Sequence, residues 1–243
     1  MLLKFPHYNK DTFMSSINFI GGEKGGVGKS VTARLLAQYL IDKDRPFTGF
    51  DTDRSHHSFN RFYADYASPV VVDSFEGMDL IVSAFEDNPV QTILVDLAAQ
   101  TSAPLARWIH DAGLIELFLQ MGIMVNFWHV MDDGKDAVDL LGRLLETYGY
   151  GPNYIVVQNH GRGTNFSLLK QSDALQKALS HGAHVVELPR LHEASMRKID
   201  QHNTSFWKAA NDRESEHALG LLERQRVKIW LKNAYEVFDN LPI

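Results

Sequence analysis

The sequence predicts an α/β fold, in which a doubly wound, mostly parallel sheet carries helices on both faces. Apolar runs of strand length alternate along the chain with segments of helical length, and this alternation is typical of βαβ units. A glycine-rich turn separates the first run from the first helical segment, and two later runs end in aspartate. Polar groups that end parallel strands gather at one edge of the sheet, where such folds bind ligands.

The individual elements follow from the apolar pattern. Short apolar runs predict seven strands, over residues 17–20, 47–50, 70–72, 92–96, 123–130, 154–157 and 185–188. Intervening segments of helical character predict helices over residues 28–43, 78–85, 103–120, 133–147, 165–180 and 213–238. Nothing in the composition marks a domain boundary. We therefore expect a single domain over 15–243, preceded by a flexible extension over 1–14.

Composition excludes several classes of protein. The 243 residues include no cysteine, so disulfides and cysteine-bound metal clusters are ruled out, and we expect a cytoplasmic location. The first 13 residues have no apolar core of the kind a secretory signal needs. A net charge of -6 argues against a strongly basic nucleic-acid-binding protein. The eleven histidines show no helical metal-binding spacing, so we expect scattered surface histidines rather than a metal site.

The glycine-rich turn has the composition of a phosphate-binding loop. It reads Lys-Gly-Gly-Val-Gly-Lys-Ser over residues 24–30, directly after a predicted strand and at the start of a predicted helix. Gly25, Gly26 and Gly28 allow the backbone to turn its N–H groups around an anion. The start of the helix adds positive potential. We expect Lys29 to contact the β- and γ-phosphates and Ser30 to bind Mg²⁺, with Val27 and Val31 beside the bound nucleotide.

The loop departs from the plain phosphate-loop motif at one position. Glu23 stands where the first glycine would fall, and a second lysine, Lys24, precedes the glycine pair. This pattern resembles the deviant Walker A motif of the ParA/MinD ATPases. The resemblance implies slow, Mg²⁺-dependent ATP hydrolysis coupled to formation of a homodimer, with an activating partner protein. It also implies that Lys24 acts catalytically by reaching the phosphates bound to the other subunit.

The same resemblance assigns roles to residues at later strand ends. Asp53 matches the residue that orients the attacking water, and Asp51 matches a position near the Mg²⁺ shell. Asp96, which ends an apolar Walker B run, would hold Mg²⁺ through water. Asn159 would contact the adenine edge, and Pro189 would lie in the loop that flanks the base.

Two segments depart from the family pattern. Residues 54–57 read Arg-Ser-His-His after Asp53, and residues 97–101 lack the prolines that commonly follow the Walker B aspartate. A nucleotide-binding protein without useful turnover therefore remains an alternative. Simple turn or helix-capping roles also remain possible for strand-end acids.

Several uses of such an ATPase remain open from the sequence. Partitioning of DNA or positioning of another cargo is the first expectation. A plasmid mobilisation or conjugation accessory role and an ATP-dependent small-molecule ligase are the alternatives. A group of basic residues late in the chain fits two interpretations equally well, a surface for non-specific DNA contact and an ordinary solvated surface. They are Arg197, Lys198, Lys208, Arg213, Arg224, Arg226, Lys228 and Lys232.

The last predicted helix carries an apolar stripe at Val227, Trp230, Leu231, Ala234 and Phe238. Its opposite face is too poor in basic residues for an anionic bilayer. We therefore expect it to pack on the core, and we expect no membrane partner.

Overall fold

One seven-stranded sheet organises the chain in the computed structural model, which describes residues 14–243. The strands are β1 (Ser16–Gly21), β2 (Phe47–Asp51), β3 (Ala67–Pro69), β4 (Thr92–Asp96), β5 (Met124–Met131), β6 (Asn153–Asn159) and β7 (His184–Leu188). They lie in the order β3-β2-β4-β1-β5-β6-β7, and every neighbouring pair is parallel. From β1 the chain passes to β2 and β3 on one side, returns to β4 beside β1, and then continues through β5, β6 and β7 on the other side. The loop after β1 therefore lies at the point where the winding reverses.

Ten α-helices and one short 3₁₀ helix (Asn60–Phe62) accompany the sheet within residues 14–243. The α-helices are α1 (Lys29–Asp42), α2 (Phe75–Asp87), α3 (Ser102–Asp111), α4 (Leu114–Gln120), α5 (Lys135–Tyr148), α6 (Ser167–Lys170), α7 (Asp173–Ser180), α8 (Glu193–Gln201), α9 (Phe206–Asn211) and α10 (Leu221–Phe238). Two apolar cores separate on the two faces of the sheet. Phe19 of β1 belongs to the core that includes side chains of α2, α3, α4, α5 and α7, and its neighbour Ile20 belongs to the core with α1, α9 and α10. The predicted doubly wound α/β fold is confirmed.

The third predicted strand was misplaced. Strand β3 ends at Pro69, before the apolar run that predicted a strand over 70–72. Val70 and Val72 are nevertheless buried in the core. The backbone of residue 71 instead approaches the start of α2 so closely that a side chain on Gly77 would meet the Val71 carbonyl oxygen at 2.6 Å. The apolar run over 70–72 therefore indicates that these residues pack in the core, and it does not indicate that they pair in a strand.

Two predicted long helices are interrupted, and a third begins later than predicted. The segment 103–120 breaks at Gly113, whose φ of 59° ends the helical path between α3 and α4. The segment 165–180 breaks before Ser172, whose hydroxyl accepts a hydrogen bond from the Leu175 N–H at 3.1 Å and caps α7. The last helix begins at Leu221 and not near residue 213, because Gly220 occupies its N-cap. Helices α8 and α9 were not predicted.

The C-terminal helix packs on the core as predicted. Val227, Trp230, Leu231, Ala234 and Phe238 are all buried in the layer that contains α1. Within residues 14–243, no helix combines the length and apolarity that a membrane crossing requires. The predicted flexible extension over 1–14 falls almost entirely on residues 1–13, which lie outside the described part of the chain.

A buried polar network crosses the middle of the sheet. The Asn126 side-chain amide donates to the Asn18 side-chain oxygen at 2.9 Å and to the Pro242 carbonyl at 2.7 Å, and its own oxygen accepts from Asn153 at 2.9 Å. The Trp128 indole N–H also donates to Asn18, at 3.0 Å. Because buried polar groups are costly when unpaired, this network favours one register of β1, β5 and β6 and fixes the chain end against them.

Candidate nucleotide-binding site

The loop between β1 and α1 adopts a conformation that only glycine tolerates at two places. Gly28 is the N-cap of α1 with φ of 102°, and a side chain there would meet the Asn159 amide nitrogen at 2.2 Å. Gly22 has φ of 124°, and a side chain there would lie 2.3 Å from the Val130 carbonyl oxygen. These close approaches let the loop curl at the start of a 14-residue helix, an arrangement suited to binding an anion.

Most of the predicted residues of this loop line one cavity of about 420 Å³, whereas Val27 is buried in the core that contains α1 and its contact with the nucleotide stays a prediction. Gly25, Gly26, Gly28, Lys29, Ser30 and Val31 all contribute to the cavity, together with Asp53 and Asp96 from the ends of β2 and β4. Lys29 is only 8% exposed, and its ammonium donates to the Lys24 carbonyl at 3.0 Å. Burial lowers the pKa of Lys29, although the nearby carboxylates of Asp96 and Asp53 oppose this effect. A phosphate group here would supply the negative charge that this buried ammonium needs.

Asp96 is the most strongly perturbed acid of the site. Its side chain is 1% exposed, and within residues 14–243 neither of its carboxylate oxygens has a partner in hydrogen-bond geometry. Burial raises the pKa of Asp96 to about 7, against a smaller lowering effect from the Ser30 hydroxyl. A buried carboxylate without partners beside a hydroxyl suits a hard divalent cation, which binds oxygen ligands. Ser30 and Asp96 therefore fit Mg²⁺.

Asp51 organises the loop that follows β2. One of its oxygens accepts from the Asp53 N–H at 2.9 Å, and the other accepts from Phe59 and Asn60 N–H groups at 2.8 and 2.9 Å. The neighbouring Thr52 hydroxyl donates to the Asp96 carbonyl at 3.0 Å and thereby ties the ends of β2 and β4 together. These contacts give Asp51 a structural role, and its proximity to a Mg²⁺ shell stays a prediction.

Asp53 lies at the wall of the cavity, where it faces the phosphate loop. Burial alone would raise the pKa of Asp53, but hydrogen bonds from the N–H groups of Ser55 and His56 and the nearby His56 ring outweigh burial and lower it. The carboxylate is therefore ionised at neutral pH and able to accept a proton-donating water. Its predicted role as the water-orienting residue remains a prediction.

Lys24 forms an ion pair with Asp132, whose carboxylate oxygen lies 2.8 Å from its ammonium nitrogen. The hydrogen bond to Asp132 raises the pKa of Lys24 against a small opposing effect of burial. The side chain is thus directed to the loop between β5 and α5 of its own chain, and its predicted reach to another subunit stays a prediction. Sequence reasoning missed Asp132, although it directly follows a strand next to β1 and the strand-end rule used for Asp51 and Asp96 applies to it.

The two residues assigned to the base lie together in a second cavity of about 760 Å³. Asn159, Pro189 and Val31 all line it. The Asn159 amide nitrogen donates to the Val27 carbonyl at 2.7 Å, and its oxygen accepts from the Gly161 N–H at 2.9 Å. Asn159 therefore fastens the phosphate loop from the base side, and adenine contact stays a prediction.

Arg162 is a further residue that the sequence reasoning missed. It lines both the phosphate-loop cavity and the base-side cavity, so it stands where the two meet. No local motif marks it, and only the position of its loop, just after β6, would have directed attention to it.

Comparison with known proteins gives distant relatives over most of the chain. No protein-family model matches. The chain is 23% identical over 247 residues to Protein TraL of Escherichia coli, which covers 93% of this chain and 98% of that protein. It is also 23% identical over 179 residues to Protein MobD of Acidithiobacillus ferrooxidans, which covers 72% of this chain and 77% of that protein.

Solved structures share the architecture. A ParA family ATPase from Chlorobium tepidum superimposes with a TM-score of 0.54 at 14% identity, over 90% of this chain and 99% of that one. The MinD cell division protein of Aquifex aeolicus gives 0.53 at 14% identity, over 94% and 99%. A putative plasmid partition protein from Borrelia burgdorferi, bound to AMPPNP, gives 0.51 at 15% identity, over 90% and 99%. The chain has the fold of the ParA/MinD ATPases, as its loop motif predicted.

Proposed function

We propose that this chain, as a single domain over 15–243, is a Mg²⁺-dependent ATPase that dimerises when ATP binds and separates after hydrolysis. The observation that carries the proposal is Asp96, a buried carboxylate without partners beside Lys29 and Ser30 in the phosphate-loop cavity. Such an arrangement is costly in the free chain, and a nucleotide with its divalent cation relieves that cost. The AMPPNP bound to the Borrelia burgdorferi structure of the same fold supports a nucleotide ligand.

The phosphate-binding role falls to the loop before α1. Its N–H groups and the Lys29 ammonium bind the β- and γ-phosphates, while Ser30 and Asp96 hold Mg²⁺. When bound, Mg²⁺ would supply positive charge against the charge that develops on the transferred phosphoryl group. Asp53 orients the attacking water, since its lowered pKa keeps the carboxylate ionised.

Dimerisation requires Lys24 to change partner. Its ammonium is held by Asp132 of the same chain at 2.8 Å, whereas the proposed role places it against the phosphates of the other subunit. Both side chains of the ion pair are partly exposed, so the contact is weak enough to exchange. ATP binding then favours the dimer because each Lys24 exchanges one carboxylate for a triphosphate, which carries more negative charge.

The cellular use of this switch is proposed from the solved structures that share the fold. One structure of the same fold is described as a putative plasmid partition protein, and DNA partitioning or cargo positioning is accordingly the first use to test. A mobilisation accessory role is the alternative. A cytoplasmic location, an activating partner protein and non-specific DNA contact complete the proposal. Of the late basic residues, Lys198 and Lys232 already pair with Glu223 and Glu236, which reduces the free positive charge of that surface.

Calorimetric titration with ATP, in the presence and absence of Mg²⁺, tests the nucleotide site. The wild-type chain should bind ATP more tightly with Mg²⁺. Lys29→Ala should weaken binding about 10- to 100-fold, as expected when a hydrogen bond to a charged group is lost. Lys135→Ala, an exposed lysine paired with Asp139 on α5, is the matched control and should bind like wild type. Absence of ATP binding to the folded wild-type chain would overturn the proposal.

A further inference from the structure

A third cavity, of about 330 Å³, lies behind the phosphate loop. It opens between α3 and α5, on the face of the sheet opposite to α1. Its inner wall is apolar and includes Phe19, Leu97, Leu105 and Phe127. The volume falls in the range of about 300–1,000 Å³ that small-molecule sites occupy, and apolar walls with few polar groups are typical of such sites.

One face of helix α5 forms the outer wall of this cavity. The lining residues from α5 are Leu140, Arg143, Leu144, Thr147 and Tyr148. They are spaced three and four residues apart, so their side chains share one helical face. The residues of α5 that pack into the core lie on the adjoining face, at Ala137, Val138, Leu141 and Leu145. Leu144 and Tyr148 of the lining face also pack against that core, whereas Arg143 and Thr147 are exposed.

Tyr148 contributes its ring to the wall of this apolar cavity. Its ring stacks on Phe127 with a centroid distance of 4.1 Å, which fixes the direction of the side chain. Within residues 14–243, its buried oxygen has no hydrogen-bond partner. Burial raises the pKa of Tyr148, so the hydroxyl remains a proton donor. Because this oxygen is shielded, the ring and not the hydroxyl is the part of Tyr148 that an occupant of the cavity would contact.

The cavity also contacts two charged residues of opposite sign. Glu23 precedes the phosphate loop and is half-buried, and Arg143 on α5 is exposed. Neither side chain forms an ion pair in the part of the chain that the structure describes. Because they are not paired with each other, they offer separate sites to an ammonium and to a carboxylate.

We propose that this cavity binds a small zwitterion with an apolar tail, of which an apolar α-amino acid is the simplest example. The ammonium contacts Glu23, the carboxylate contacts Arg143, and the tail fills the apolar interior beside the Tyr148 ring. This site is separate from the phosphate-loop cavity and does not depend on the proposed ATPase activity. The occupant would nevertheless touch Gly22 and Leu97, which adjoin the phosphate loop and the carboxylate of Asp96.

Calorimetric titration of the full chain with L-phenylalanine tests the site, with two truncated probes for comparison. 3-Phenylpropionate lacks the ammonium and phenethylamine lacks the carboxylate. Both should bind more weakly than L-phenylalanine, because each loses one of two charge-assisted contacts. An equal or tighter affinity for either truncated probe would overturn the zwitterion assignment. The absence of saturable L-phenylalanine binding would overturn the site itself.

Substitutions then separate binding from folding. Arg143→Gln should weaken L-phenylalanine and 3-phenylpropionate about twofold to fivefold, as expected for a partly exposed ion pair, and leave phenethylamine unchanged. Arg107→Gln, an exposed arginine on α3 outside the cavity, is the matched control. Tyr148→Phe keeps the ring and removes only the shielded hydroxyl, so it should keep or raise thermal stability and leave L-phenylalanine affinity unchanged. Leu144→Trp should block the cavity, and L-phenylalanine affinity unchanged by both Leu144→Trp and Arg143→Gln would refute the proposal.

Discussion

Replacing Asp96 by asparagine removes a buried charge and keeps the shape of the side chain. Burial raises the pKa of Asp96 from its ordinary value of 3.8 to about 7, and a difference of this size corresponds to about 4 kcal/mol. Above pH 7 the carboxylate is ionised in the folded and unfolded states, so the folded chain bears the whole cost. As pH falls from 7 toward 4, the folded state takes up a proton before the unfolded state does, and the cost disappears.

Asp96→Asn should therefore be more stable than wild type in the absence of nucleotide and divalent cations. The advantage should be about 4 kcal/mol at pH 8, about 2 kcal/mol at pH 5 and close to zero near pH 4. Burial also lowers the pKa of His129 from its ordinary value of 6.5 to about 4, and this destabilises the folded chain when the pH falls below about 6.5. That effect is common to both proteins and cancels in their difference.

Urea unfolding followed by circular dichroism measures this difference at each pH. Asp87→Asn, an exposed aspartate at the end of α2, is the control and should change stability by less than about 0.5 kcal/mol. Addition of Mg²⁺ and ADP should stabilise wild type and leave Asp96→Asn nearly unchanged. A variant that is no more stable than wild type at pH 8, or whose advantage does not vary with pH, would refute the reasoning about this carboxylate.

Three further substitutions have expected outcomes. Asn159→Ala should lower the free energy of unfolding by about 1–2 kcal/mol and weaken ADP binding, because it releases the Val27 carbonyl from its buried donor. Unaltered ADP affinity in a titration would contradict this. Asp132→Ala should lower the protein concentration needed for an ATP-dependent dimer about twofold to fivefold in light scattering, since Lys24 no longer has to leave an ion pair. A variant that needs a higher protein concentration than wild type to dimerise would contradict this prediction. Asn126→Ala should cost about 2–4 kcal/mol in urea unfolding because three buried hydrogen bonds are lost, and a neutral effect would count against the network.

The sheet and the phosphate loop were accessible from the sequence because parallel strands are buried on both faces. Their apolar runs, such as 92–96, stand out without tertiary information. The apolar run at 70–72 led to a misplaced third strand, because a buried valine can lie either in a paired strand or in a segment that packs on α2. Helix α8 was missed because it is short and mostly polar, and helix α9 was missed because six residues are too few to show a helical period. Ile199 and Phe206 anchor them by contacts with distant elements in the core that contains α1.

Within the site, the motif supplied the residues but not their partners. Lys24 and Asn159 were both identified, yet the sequence contains no signal that pairs one with Asp132 and the other with Val27. Both contacts join segments that meet only after the sheet has formed. Likewise, the absence of partners around Asp96 is a consequence of packing, which no local pattern encodes.

The most direct test of the proposed switch is size-exclusion chromatography with light scattering, run with ADP and with Mg²⁺ and AMPPNP. Wild type should be a 27.5 kDa monomer with ADP and should double in mass with Mg²⁺ and AMPPNP. Lys24→Ala should bind AMPPNP but dimerise much more weakly, while the surface control Lys135→Ala should behave like wild type. A wild-type chain that binds AMPPNP and stays monomeric, or a Lys24→Ala variant that dimerises as well as wild type, would contradict the proposed mechanism.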